Sequence, residues 1–201
     1  MLSYNYGQEA IDHLKSQDKK LGQAIERLGH IHRKINPNPF EALISSVIAQ
    51  QISIKGAETV YQRLSSLALD ITPTNIGKLS LEEIQGCGMT FRKAGYIKGI
   101  SEAALSGQVD FNDLQHLSDQ EVIETLMPLK GIGLWTIEML LIHALIRPDV
   151  VSYGDLAIRK GMMHLYGLET LSKATFDDYR KAYSPYGTVA SLYLWALSLK
   201  A

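Results

Sequence analysis

The stretch Leu129-Lys130-Gly131-Ile132-Gly133-Leu134-Trp135-Thr136 determines how the rest of the sequence is interpreted. It separates a predicted helix that begins at Ser118 from a very apolar predicted helix, Leu134–Ile146. Two glycines around one aliphatic residue predict a tight turn, because glycine allows positive φ and close backbone approach. The N–H groups of Gly131 and Gly133 then point outward, and such donors beside a helix N-terminus bind anions. The same pattern is also typical of an ordinary corner between two helices.

Apolar residues recur at helical spacing along almost the whole chain, and residues 40–48 show this spacing clearly. The apolar face that extends from Ala10 to Leu28 is interrupted near Ser16–Asp18. Helix starts are marked by capping residues: Ser53, Thr72 before Pro73, and the capping boxes that begin at Ser80 and Ser118. No alternating apolar and polar run of strand length occurs. The sequence therefore predicts an all-α fold.

Two proline-containing segments interrupt this helical pattern, Asn36-Pro37-Asn38-Pro39 and Arg147-Pro148-Asp149. They are either loops inside one domain or boundaries between two helical lobes. In the second interpretation, residues 1–38 and 148–201 form one lobe from both termini. Residues 39–147 form the central lobe, which contains the two helices and the turn at about 118–146.

Composition excludes several classes of protein. The single cysteine, Cys87, excludes an internal disulfide, a cysteine zinc site and a four-cysteine iron–sulfur cluster. The six histidines show no metal-binding spacing. With 20 Lys and Arg against 21 Asp and Glu, the chain has no basic excess that would indicate a nucleic-acid partner. Neither a signal peptide nor an apolar stretch of about 20 residues is present, so we expect a cytoplasmic protein without membrane contact.

Asp155 follows Gly154 and precedes a third apolar-periodic segment that starts at Leu156. Its position alone favours a helix N-cap, which is the commonest role of such an aspartate. A carboxylate at this place can also stabilise positive charge that develops on a bound reactant, or accept a proton from a water molecule.

Several motifs together resemble the helix-hairpin-helix (HhH-GPD) superfamily of DNA glycosylases. The hairpin and the Gly154–Lys160 segment are similar to its hairpin and catalytic aspartate segment. Ala49–Ser53 is similar to its DNA-wedge loop. Three further segments resemble the alkylation-repair branch: residues 88–94, 183–186 and 192–195. The resemblance covers about residues 20–199 and indicates the AlkA type of 3-methyladenine DNA glycosylase without the N-terminal β-rich domain of some members.

This resemblance implies a base-excision-repair enzyme with its active site in the cleft between two lobes. The enzyme would flip a damaged nucleotide out of double-stranded DNA and release alkylated purines such as 3-methyladenine and 7-methylguanine, assisted by Asp155. Branches that also cut DNA have a lysine two residues after the second hairpin glycine. Trp135 occupies that position here, which predicts hydrolysis without lyase activity.

The resemblance also assigns roles to residues that have plainer explanations. The base pocket would be formed by Trp135, Met139, Trp195 and Tyr153, although aromatic residues at helical spacing are usually core. The hairpin residues Lys130, Gly131, Ile132, Gly133 and Thr136 would bind DNA. Gln50 and Gln51 would form the wedge, or simply a polar connection between helices. Arg92, Lys93 and Arg159 would contact phosphates, or lie on a solvated helix face. The backbone carbonyls of Met127, Leu129 and Ile132 would hold Na⁺ or K⁺.

The sequence is also compatible with two other functions. The chain could be a non-catalytic helical module that binds damaged or distorted DNA, or a glycosylase for deaminated bases such as hypoxanthine or uracil. In each case we expect a monomer that binds double-stranded DNA and requires no cofactor or iron–sulfur cluster. A DNA partner would place the protein at the nucleoid of a bacterium or in the nucleus of a eukaryote.

Overall fold

The computed structural model describes residues 2–199, which confirm the all-α prediction. The described part contains one isolated antiparallel bridge, Ser3 to Lys34, and no strand. No helix within residues 2–199 is both long and apolar enough to cross a membrane. The α-helices are α1 Gln8–Gln17, α2 Lys19–Leu28, α3 Pro39–Ala49, α4 Ile54–Ala68, α5 Pro73–Lys78, α6 Leu81–Gly86, α7 Phe91–Leu105, α8 Asp119–Leu126, α9 Leu134–His143, α10 Leu156–Tyr166, α11 Lys173–Tyr183 and α12 Gly187–Ser198.

The predicted capping residues begin the helices as expected. The side chains of Ser53, Thr72, Ser80 and Ser118 each accept a hydrogen bond from the backbone N–H three residues later. At Ser80 and Ser118 the glutamate three residues on bonds back to the capping residue, so both capping boxes are confirmed. The interruption near Ser16–Asp18 is confirmed as well, because Asp18 is extended and caps α2.

The structure corrects the length of α9, which we predicted to continue to Ile146. The helix ends at His143, and Ile146 adopts a left-handed φ of 55° that a continuing α-helix does not allow. The backbone N–H of Arg147 instead donates to the carbonyl of Leu141.

The chain divides into two compact units. One contains the described residues up to Ile35 and from Leu141 onward, and the other contains Asn36–Leu140. The predicted boundaries, after residues 38 and 147, differ most at the second position, where the division falls inside α9. The segment after α9 is held within the first unit, because the carbonyl of Arg147 accepts hydrogen bonds from Tyr4 Oη and Thr188 Oγ1.

The first unit has its core around the crossing of α10 and α12. At this crossing a Cβ atom added to Gly161 would lie 1.9 Å from the carbonyl oxygen of Leu194. Glycine is therefore required for the two backbones to approach. Phe176, Tyr183 and Tyr193 are fully buried in the same core. The close crossing fixes the start of α10 relative to the C-terminal half of α12.

The second unit contains α3 to α8 and the start of α9. Apolar faces of α3 and α7 are buried, and the rings of Phe40 and Phe111 pack edge to face at 5.3 Å. This unit contains the hairpin between α8 and α9 and the loop between α3 and α4.

Candidate active site

Asp155 is the N-cap of α10, as its position in the sequence predicts. Its carboxylate Oδ1 accepts hydrogen bonds from the backbone N–H of Ile158 at 2.9 Å and from the indole Nε1 of Trp195 at 3.1 Å. The residue is only 8% exposed. Both donors bind the same carboxylate oxygen, one from the first turn of α10 and one from α12. The side chain is therefore held in one orientation.

Trp195 lies on α12 and is half-buried. The Arg33 guanidinium lies over its ring, 5.0 Å from the centroid. The His143 imidazole stacks on the same indole at 5.5 Å with an interplanar angle of 23°. Neither Arg33 nor His143 belongs to a motif that the sequence singled out. Together with Asp155 they form a cluster of four residues, Arg33, His143, Asp155 and Trp195, within the first unit.

His143 carries no charge at neutral pH. Its burial, reinforced by the positive charge of Arg33, lowers the pKa of the imidazole to about 4, although the carboxylate of Asp155 opposes this shift. Its Nδ1 is buried and has no hydrogen-bond partner within the described residues. The side chain occurs one helical turn after Met139, a spacing that offered a signal for including it in the site.

Tyr153, predicted to line the base pocket, is half-buried beside α11. Its ring packs edge to face on Phe176 at 5.1 Å. The guanidinium of Arg159 and the ammonium of Lys173 lie 5.2 and 5.6 Å from its centroid. Arg159, predicted to contact phosphate, is thus held against an aromatic ring near the start of α10. The contacts of Tyr153 with these cations give it a packing function at this position.

The hairpin between α8 and α9 has the tight geometry that its glycines predict. Gly131 adopts a φ of 83°, and a Cβ added there would lie 2.2 Å from the ring of Tyr96. Ile132 is buried, as expected for a side chain that fills the gap between helices, while Lys130 and Gly133 are exposed. Thr136 is only 4% exposed. Its side chain therefore packs in the interior and does not reach the surface where we predicted DNA contact.

The turn after α8 also contains the carbonyls predicted to bind Na⁺ or K⁺. The carbonyl of Leu129 accepts a hydrogen bond from the N–H of Ile132 at 3.1 Å, which leaves one of its two lone pairs. Met127 caps α8, directly before this turn. Hard carbonyl oxygens suit an alkali cation, so the donor type fits. No cluster of three or more His, Cys, Asp or Glu side chains with metal-binding geometry occurs among residues 2–199.

The predicted wedge loop joins α3 to α4. Gln50 Nε2 donates to the carbonyl of Gly131 at 3.0 Å, which connects this loop to the hairpin. Gln51 is exposed and adopts a left-handed φ of 58°, an uncommon conformation for a residue other than glycine. Such local strain occurs often at functional sites. Because Gln50 is bonded to the hairpin, Gln51 is the glutamine that projects from the loop.

Lys93 supports this loop from α7. Its Nζ donates to the carbonyls of Ile48 at 2.8 Å and Gln50 at 2.5 Å, at the C-terminal end of α3. We predicted a phosphate contact, but the ammonium is already used to hold the backbone, and burial lowers its pKa. Arg92, the other candidate on α7, is exposed. It borders the same surface depression as Gln51 and Gly131.

Two more predicted pocket residues are on the part of α9 within the second unit. Trp135 is 42% exposed and Met139 is 9% exposed. Ile52, within the wedge loop, and Ile54, the first residue of α4, are exposed to 43% and 90%. Neither isoleucine was predicted to contact DNA, although large exposed apolar residues in or directly after a polar loop are a usable signal.

Three matches cover almost the whole chain, one to a protein sequence and two to solved structures. The chain is 34% identical to DNA-3-methyladenine glycosylase 1 of Schizosaccharomyces pombe over 92% of its length and 85% of that protein. The crystal structure of a DNA-3-methyladenine glycosidase from Bacillus halodurans matches with a TM-score of 0.87 and 36% identity, covering 98% of this chain and 93% of that one.

The second structure is that of a 3-methyladenine DNA glycosylase of Schizosaccharomyces pombe in complex with abasic DNA. It matches with a TM-score of 0.84 and 33% identity, over 93% of this chain and 95% of that one. The family model for HhH-GPD superfamily base excision DNA repair proteins matches residues 44–185, which include the hairpin and Asp155. The resemblance noted in the sequence is thus confirmed, and this chain belongs to the HhH-GPD superfamily of base excision DNA repair proteins.

Proposed function

We propose that the protein is a monofunctional DNA glycosylase that hydrolyses the N-glycosidic bond of alkylated purines in double-stranded DNA. The observation that carries this proposal is the carboxylate of Asp155, held by two hydrogen bonds at the start of α10. The relatives are named for action on 3-methyladenine, and one of them is bound to abasic DNA, the product of such a reaction. These names support the alkylated-purine substrate.

Asp155 would act electrostatically. When the bond between sugar C1′ and the base nitrogen breaks, its electron pair leaves with the base and positive charge develops on the sugar. A fixed carboxylate stabilises that charge without reorganising. A water oxygen then bonds to C1′ and its proton passes to Asp155 or to solvent. A cationic methylated purine leaves as a neutral base, so the reaction needs no separate acid.

Trp195 would be both a positioning residue and a wall for the flipped base. Its indole N–H fixes Asp155, while its electron-rich ring favours a cationic purine. Since Trp135 replaces the amine needed for a Schiff base, the enzyme would release the base without cutting the strand.

DNA would be held mainly through the second unit. The backbone of the hairpin around Gly131 and Gly133 would bind a phosphate, and Gln51 would enter the gap that the flipped base leaves. Carbonyls of Met127, Leu129 and Ile132 would hold an alkali cation, which supplies positive charge toward that phosphate. We expect the protein to bind DNA as a monomer.

The decisive experiment is Asp155→Asn measured on methylated duplex DNA under single-turnover conditions. Asparagine is as good an N-cap as aspartate, so the melting temperature should hardly change. The rate of 3-methyladenine release should fall by at least 100-fold, because the negative charge is lost. Asp178→Asn is the matched control, since Asp178 lies on the surface in an ion pair with Lys181.

Each alternative has its own outcome in this experiment. If the wild-type protein binds the duplex but releases no base, it is a non-catalytic module. If single-lesion duplexes show release of uracil or hypoxanthine but not of methylated purines, the substrate assignment is wrong. An Asp155→Asn variant as active as the wild type would contradict the mechanism.

A further inference from the structure

Arg33 has a defined position that the proposed reaction does not yet explain. Its guanidinium lies 5.0 Å from the centroid of the Trp195 ring. Its backbone carbonyl accepts a hydrogen bond from the N–H of Tyr4 at 2.7 Å, which anchors this segment within the first unit. Trp195 in turn bonds to Asp155, and the charges of Arg33 and Asp155 interact. A permanent positive charge therefore lies beside both the aromatic wall and the carboxylate.

A positive charge at this place affects cationic and neutral bases differently. A base cation such as 7-methylguanine is repelled when it enters, and its positive charge disappears as the bond breaks. A neutral base such as hypoxanthine enters without repulsion and departs with the bonding electron pair as an anion. A nearby guanidinium stabilises that developing negative charge. In both classes the base gains one negative charge as the bond breaks, so the guanidinium assists the departure of either base. The two classes differ in the entry step, which the guanidinium hinders for a cationic base only.

We propose that Arg33 is a specificity-determining residue whose charge, held against Trp195 and beside Asp155, raises the excision of neutral purine lesions relative to cationic ones. This inference rests on the proposed glycosylase function. Near a protein surface, where the effective dielectric constant is about 20, two unit charges roughly 8 Å apart interact strongly enough to change a rate on the order of tenfold or more. The preference of this site between the two lesion classes is therefore controlled by one side chain.

His143 does not duplicate this charge. It stacks on the same indole, but its imidazole is neutral at neutral pH. The exposed location of the Arg33 side chain also makes a large folding defect on substitution unexpected. The function of Arg33 can therefore be tested by removing its charge and by replacing it with lysine.

The test compares Arg33→Met and Arg33→Gln with Arg33→Lys on two duplexes, one containing 7-methylguanine and one containing hypoxanthine. Single-turnover rates at enzyme concentrations below saturation, which include entry of the base into the pocket, are measured with each substrate, together with the melting temperature of every variant. We expect the ratio of hypoxanthine release to 7-methylguanine release to fall at least tenfold in Arg33→Met and Arg33→Gln. In Arg33→Lys it should remain within about threefold of the wild type. Arg180→Met removes an exposed charge from α11 and should leave the ratio unchanged.

The ratio distinguishes this role from others. A phosphate contact or a structural role would lower both rates together and leave the ratio unchanged, which would overturn the inference. Release of 7-methylguanine without any release of hypoxanthine by the wild type would also overturn it, while the proposed function would stand. If the wild type releases neither base nor 3-methyladenine, the proposed function itself fails.

Discussion

The indole Nε1 of Trp195 donates a 3.1 Å hydrogen bond to Oδ1 of Asp155, the same oxygen that accepts the backbone N–H of Ile158. One carboxylate oxygen thus caps α10 and is fixed by a side chain from α12. The bond connects a helix start to an aromatic ring 40 residues later in the chain. Its geometry leads to the first prediction.

Trp195→Phe should keep an aromatic ring against Arg33 and His143 but remove the donor to Asp155. A hydrogen bond to a charged group contributes about 1.5–3 kcal/mol. We expect excision from methylated duplex DNA to slow about tenfold. Tyr193→Phe is the control, because Tyr193 lies on the same helix as Trp195. This change removes a hydroxyl that donates to the carbonyl of Gly29 at 3.0 Å. Equal slowing in both variants would show that Trp195 has only a packing role.

Gly161→Ala should disrupt the crossing of α10 and α12. The added Cβ would lie 1.9 Å from the carbonyl oxygen of Leu194, and backbone on both helices must shift to accommodate it. We expect the free energy of unfolding, measured in urea, to fall by about 3 kcal/mol or more. Gly95→Ala in α7 is the control, since nothing lies within 4 Å of its added Cβ. That variant should be about 0.5–1 kcal/mol more stable than the wild type.

These features show which parts of the site the sequence could predict. Asp155, the caps and the hairpin depend on local patterns of a few residues, so they were predictable. Arg33 joins Asp155 only through tertiary packing, and nothing in its neighbouring residues indicates that contact. His143 offered one local signal, its position one helical turn after Met139. From the sequence, Gly161 would be interpreted as a residue that destabilises its own helix. The close contact that requires glycine is with α12, which follows much later in the chain. The bonds from Lys93 to two backbone carbonyls are also tertiary contacts, which a basic residue selected as a phosphate contact does not reveal in the sequence.

Gln51→Gly should change the excision rate without a comparable change in stability, because it removes the side chain of the wedge loop and relieves its backbone strain. Glycine adopts the φ of 58° without steric cost, which offsets its greater entropy when unfolded. We expect stability in urea to stay within about 1 kcal/mol of the wild type, whereas excision from duplex DNA should fall about tenfold.

Leu69→Gly is the matched control for this wedge prediction. Leu69 has a φ of 68° and is 83% exposed after α4, so the same strain is relieved there. That variant should excise bases at the wild-type rate. Unchanged excision by Gln51→Gly would mean that another residue fills the gap left by the flipped base.

Lys93→Met and Arg92→Met test two adjacent cations with different functions. Lys93→Met leaves the carbonyls of Ile48 and Gln50 without their donor, so we expect a stability loss of about 1–3 kcal/mol.

Arg92→Met should leave stability unchanged within about 0.5 kcal/mol. It should instead weaken DNA binding and reduce the slope of log affinity against log salt concentration by about 1. Urea unfolding and binding titrations at several salt concentrations measure both effects. A reduced salt slope in Lys93→Met with no loss of stability would restore its role as a phosphate contact.

Stability should also depend on pH through His143. The pKa of this imidazole is about 4 in the folded protein, below the value of about 6.5 expected when unfolded. The unfolded chain therefore binds the proton first as the pH falls, and stability is lost between about pH 6.5 and 4. The loss attributable to this residue is at most about 3 kcal/mol. His143→Phe keeps a ring stacked on Trp195 but cannot be protonated, so urea unfolding across this pH range should show a shallower decline. If the wild type and His143→Phe lose stability with the same slope, the imidazole is not the group responsible.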